Sequence, residues 1–74
     1  MTKIEGEQEA LRRWRQLSPD QRAGFEDAEA YAVRLDLELD FPTVTNRRRL
    51  IAAWLMRDLI SARAAQVAEA TKAA

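Results

Sequence analysis

Arg47, Arg48 and Arg49 stand together in P-T-V-T-N-R-R-R-L-I (residues 42–51), just before the most apolar run of the chain. Three adjacent guanidinium groups have three chemical uses. They grip phosphates, dock on an acidic protein surface, or answer carboxylates of their own fold. Thr45 or Asn46 suits a helix N-cap, which puts the triplet in a first helical turn. There the helix dipole disfavours each cation by about 0.3–1 kcal/mol, and something must offset that cost. Asp36, Glu38 and Asp40 lie just upstream, across a turn, where an antiparallel return brings them beside the triplet. The sequence therefore favours internal or solvated pairing, with a protein partner and then nucleic acid as the alternatives.

A DNA-binding regulator of helix-turn-helix type is the main alternative function. It needs Arg12, Arg13 and Arg15 to join Arg47, Arg48 and Arg49 in one basic footprint, with the first helix beside the start of the third. Three features oppose it. The acidic 36–40 segment repels phosphate, the connection lacks the glycine common in such turns, and the run after Arg49 is too apolar to lie against DNA.

Other chemistry has little to work with. Ser18 and Ser61 have no histidine to serve as base, and Lys3 and Lys72 sit near the ends of the chain. There is no glycine-rich phosphate loop. Glu26 and Glu29 lie on adjacent turns but lack the histidine that di-metal bundles use. With no cysteine and no histidine, zinc would have only carboxylates. The expectation is a non-enzymatic protein without cofactor, metal or small-molecule substrate. Asp58 falls near Ile51, Trp54 and Ala62 on a helical wheel, inside an apolar stripe. A carboxylate there needs a cation, with Arg34, Arg13 or a second subunit's arginine as candidates.

The elements that position these groups are helices. Ile4, Leu11, Trp14 and Leu17 mark a first helix over 4–17, with Gly6 weakening its start. Ser18-Pro19-Asp20-Gln21 has capping-box spacing with proline at the first helical position, predicting a second helix from there. Phe25, Ala28, Ala32, Leu35 and Leu39 form its stripe. Residues 35–41 alternate strictly but have no partner strand, so helix continues to about Leu39 and Pro42 marks the break. The third helix runs from the Thr45 or Asn46 cap to about Ala70, with 68–74 as a fraying tail. The fold expected is all-α, one small domain over 1–74, with a short first helix and a long antiparallel hairpin of the second and third.

The 74 residues make a domain with a thin stability margin, because so small a chain hides only about 60% of its unfolded surface. Without disulfides or zinc, regular helix packing and oligomerisation are the remaining supports. Helix 3 carries two apolar stripes. Ile51, Trp54, Leu55, Ala62 and Ala65 form one; Ala53, Met56, Ile60 and Val67 form another, roughly opposite. Two faces suit either a central helix or one face for the fold and one for a second molecule. The sequence thus predicts a homodimer through Met56, Ile60 and Val67, with Trp54 as either core anchor or interface hot spot.

Twelve basic and twelve acidic side chains cancel, so no bulk charge draws the chain to nucleic acid or membrane. Ten of the twelve cations are arginine, a bias that a GC-rich bacterial or phage genome also produces. No apolar run is long enough for a membrane span, and residues 1–9 lack a secretory core, so the expected location is cytoplasmic.

Overall fold

Thr2 starts the first helix. Its hydroxyl accepts from Glu5 N at 3.2 Å, and Glu5 Oε1 accepts from Thr2 N at 2.9 Å, so two otherwise unpaired helix-start donors are satisfied reciprocally. In the computed structural model, which describes the backbone of residues 1–73 and the side chains of residues 1–65, α1 spans Lys3–Arg15. The expectations placed on the Val67 side chain and on a fraying tail over 68–74 fall outside the described side chains.

Ser18 begins a single 3₁₀ turn, Pro19–Arg22, and not the second helix. The second helix, α2 (Phe25–Glu38), starts after Gly24. Asp27 Oδ2 accepts from Ala23 N at 3.0 Å and Gly24 N at 3.1 Å, closing that helix start from within. The proline and capping spacing were thus satisfied by a shorter turn, which lets the chain reverse direction. α2 ends where the alternating segment becomes extended: Leu39 has φ −106° and ψ 130°. Asn46 is the cap of α3 (Arg47–Ala73), its Oδ1 accepting from Arg49 N at 3.1 Å.

Side-chain pairs fix the order as up, down, up. Arg47 of α3 meets Asp36 near the end of α2, while Arg63 reaches back to Ala23 before its start, so α2 and α3 are antiparallel. Arg15 at the end of α1 meets Asp58 well along α3, so those two run the same way. The 27 residues of α3 give a rod about 40 Å long. That rod sets the long dimension of a molecule measuring 46 × 21 × 19 Å.

The core joins Ala10 and Trp14 of α1, Ala28, Ala32 and Leu35 of α2, Leu39 and Phe41 of the connection, and Ile51, Trp54, Leu55 and Leu59 of α3. Burying Trp14 completely removes roughly 200 Å² from water. At 25 cal/mol per Å² its contribution is about 5 kcal/mol, an upper value. Its ring packs at 5.8 Å from Tyr31, and Phe41 packs at 5.5 Å from Trp54. Four expected positions move outward: Ile4 and Phe25 are exposed on α1 and α2, and Ala62 and Ala65 on α3.

The buried face of α1 is Gly6, Ala10 and Trp14, at steps of four. One large indole and two small residues let the helices approach, a pattern set by shape more than by hydrophobicity. Gly6 is therefore not merely a weak start. Phe41 fills the space its missing side chain leaves, with a built Cβ falling 2.8 Å from Phe41 Cγ. On α3, Ile51, Leu55 and Leu59 form one buried line, with Leu50, Ala52 and Met56 packed at its edges. Of the two readings of its apolar surface, α3 fits the central one over 50–59, touching both companions. Among the described residues no helix is long and apolar enough to cross a membrane.

Candidate functional site

Arg47 lies at the unfavourable start of its own helix, yet its guanidinium reaches the C-terminal end of α2, where a cation is favoured. Nε donates to Asp36 Oδ1 at 2.8 Å, Nη1 to Asp40 Oδ1 at 2.9 Å, and Nη2 to the Asp36 carbonyl at 3.1 Å. The group also stands 5.9 Å from the centre of the Phe41 ring. Asp36 and Asp40 together hold its pKa above the usual arginine value, the Asp36 hydrogen bond contributing most. Internal pairing thus accounts for one arginine of the triplet.

Arg12, Arg13 and Arg15 are paired as well. Arg12 Nε donates to Glu9 Oε2 at 2.9 Å. Arg13 bridges helices, with Nε on Glu9 Oε1 at 2.8 Å and Nη1 on Glu38 Oε2 at 2.7 Å, while Arg34 holds the other Glu38 oxygen at 3.2 Å. Two guanidinium groups on one carboxylate lower the Glu9 pKa to about 2, with the Arg12 hydrogen bond first and Arg13 second. Arg15 donates to Asp58 Oδ1 from Nε at 3.2 Å and Nη2 at 2.8 Å. The partner of Asp58 is therefore Arg15, in place of Arg34, Arg13 or a second subunit. Asp58 lies 58 − 47 = 11 residues beyond Arg47, so Arg15 is anchored about 16 Å along α3 from the start of that helix.

Arg48 and Arg49 remain. Among the described residues neither has a carboxylate within salt-bridge distance. They line a groove of about 350 Å³ between α2 and α3 together with Glu29, Val33 and Ala52. Val33 is 46% exposed, and Leu37, one turn further along α2, is 84% exposed. Val44, in the connection entering α3, is fully exposed. Two cations without a salt bridge among the described residues thus share a groove with an exposed aliphatic side chain, Val33, which gives that surface two chemistries. Val33, Leu37 and Val44 were not legible as such, because a period-based reading has no partner geometry with which to rank outward apolar positions.

The self-association candidates scatter. Trp54 is buried against Phe41, Met56 is half-buried at the edge of the core, and Ile60 is 56% exposed. Among the described residues, no three acidic, cysteine or histidine side chains gather in a cluster fit for a metal. Known protein families, curated proteins and solved structures offer no significant match to this chain.

Proposed function

We propose that the protein is a non-enzymatic docking module whose partner is another protein, presenting an acidic helix with an apolar face. The observation that carries this reading is the groove in which Arg48 and Arg49, without a salt bridge among the described residues, meet exposed Val33, with exposed Leu37 one helical turn further along α2. An amphipathic helix laid in such a groove buries aliphatic surface along one face and answers the guanidinium groups with carboxylates. A phosphate backbone uses only the cations. It gains nothing from Val33 and Leu37 and is repelled by Glu29 in the same groove. Arg12, Arg13, Arg15 and Arg47, which a DNA reader needs, already hold carboxylates.

A photo-crosslinker at position 37, compared with one at position 20, tests the groove in extract of the native host. The expected adduct forms from position 37 alone, disappears in Arg48→Glu/Arg49→Glu, and maps to an acidic helical segment of the captured protein. Duplex DNA supplies the opposing result. A mobility shift at low salt, with the double substitution lowering the salt slope by about 2, would replace the protein partner by nucleic acid.

Self-association is the second reading, and one observation favours it. α3 is 27 residues long against 14 for α2, and every described residue from Ile60 to Ala65 is exposed. Helix unsupported by packing is marginal in water, and a second α3 laid against the first supplies that packing. Sedimentation at tens of micromolar should then give twice the 8.5 kDa chain mass, and Ile60→Glu should return it to 8.5 kDa. A wild-type mass of 8.5 kDa removes this reading.

A further inference from the structure

We propose that a second copy of this chain covers the Arg48–Arg49 groove, its α2 packed antiparallel on the first α2 about a two-fold axis. The inference rests on the reading of that groove as a receptor for an acidic helix with an aliphatic face, and it names the helix. α2 is itself such a helix. Glu26, Glu29, Val33 and Leu37 follow one another at steps of three, four and four, so they share one face, and all four are exposed. Among the described residues neither Glu26 nor Glu29 has a salt bridge, and neither do Arg48 and Arg49. The α2 face and the groove beside it therefore hold both halves of the match: carboxylates, guanidinium groups, and exposed aliphatic side chains between them.

Register decides whether the two halves meet. A two-fold interface presents the same patch twice, so each contact recurs with the copies exchanged. With Val33 on the axis and the α2 helices antiparallel, Val33 lies against its equivalent. Leu37, four residues after Val33, lies against Glu29 and Ala30 of the second copy, four and three residues before it. Glu26 of the second copy, seven residues before the axis, comes level with Asp40, seven after it. That end of α2 is where Arg47 holds Asp36 and Asp40, and Arg48 and Arg49 follow Arg47 there. Glu26 and Glu29 of the second copy thus arrive beside the start of α3, where both guanidinium groups open onto the Val33 groove. The carboxylates also offset the cost of two cations in a first helical turn, which Arg47 escapes by reaching α2. Parallel α2 helices would instead set each charge against its own equivalent, so the charges select the antiparallel arrangement.

Sedimentation equilibrium at about 200 µM, suited to a dissociation constant on the order of 10–100 µM, should give twice the 8.5 kDa chain mass. Leu37→Glu should weaken association at least about tenfold, whereas Ile60→Glu should leave it unchanged. Glu26→Arg/Glu29→Arg and Arg48→Glu/Arg49→Glu each set like charges face to face, so each variant alone should be monomeric. Their equimolar mixture restores opposite charges at both contacts and should regain the dimer mass. Leu37→Glu added to both variants should abolish that recovery. All the substituted side chains are exposed, and circular dichroism checks that each variant keeps its helices. A wild-type mass of 8.5 kDa would overturn the proposal, as would a mixture that stays monomeric. Recovery that persists with Leu37→Glu in place, or a dimer lost in Ile60→Glu and kept in Leu37→Glu, would do the same. A monomeric wild-type protein that still gives the position-37 adduct with another protein overturns the dimer alone and leaves the groove reading standing.

Discussion

Replacing Gly6 by alanine sets two physical effects against each other. Alanine is the better helix former by about 1 kcal/mol, so a solvent-facing Gly6 would be stabilised by the change. The structure reverses the sign. A Cβ at position 6 falls 2.8 Å from both Cγ and Cε1 of Phe41, well inside the roughly 3.5–4.0 Å at which carbon atoms attract. The ring has little room to retreat. It is 3% exposed, Trp54 lies 5.5 Å away, and the Arg47 guanidinium stands 5.9 Å from its centre. Overpacking a filled core costs about 1–3 kcal/mol. Set against the propensity gain, the net loss is about 1 kcal/mol, or some 4–8 °C in Tm for a domain of this size. Urea unfolding followed by tryptophan fluorescence measures it. Phe41→Leu should cost less in the Gly6→Ala background than in the wild-type protein, with a coupling of at least about 0.5 kcal/mol. Gly24→Ala, where nothing lies within 4 Å of the new carbon, should shift stability by less than about 1 kcal/mol. A Gly6→Ala protein with an unfolding midpoint at or above wild type would refute the packing of Phe41 against α1.

Arg47→Met removes three hydrogen bonds and should lower the urea midpoint clearly more than removal of either neighbouring arginine does. Arg48→Ala, which breaks no ion pair among the described residues, should stay within about 0.5 kcal/mol in the same urea experiment. Glu9 links stability to acid. Its folded pKa of about 2 lies below the ordinary 4.5, so its contribution is complete above pH 4.5 and is lost as pH falls toward 2. Glu9→Gln should therefore flatten the fall of the urea midpoint across that window and change little of its slope at neutral pH.

Several features were readable because their causes are local. The Asn46 cap, the break before Pro42 and the end of the second helix near Leu39 each depend on a few neighbouring residues and appear where expected. The antiparallel return that places Asp36 and Asp40 against Arg47 followed from the same local signals, since a short connection between two helices leaves few other arrangements. The start of the second helix was less legible. Ser18 and Gln21 have capping-box spacing, but a 3₁₀ turn satisfies that spacing as well as an α-helix does, and Asp27 offered a second capping point downstream.

Charge and hydrophobic period together determined the class of this protein: three helices, with no thiol or imidazole chemistry. Only the tertiary structure decided which side chains meet across helices. It paired Arg15 with Asp58 and Arg13 with Glu38, seated Phe41 on Gly6, and left Arg48, Arg49, Val33 and Leu37 uncovered. The reason is geometric. Periodicity reports the direction a side chain takes from its own helix axis, whereas its partner depends on the offset and spacing between axes. Small residues such as Gly6, Ala10, Ala28 and Ala32 set that spacing while contributing almost nothing to a hydrophobic pattern.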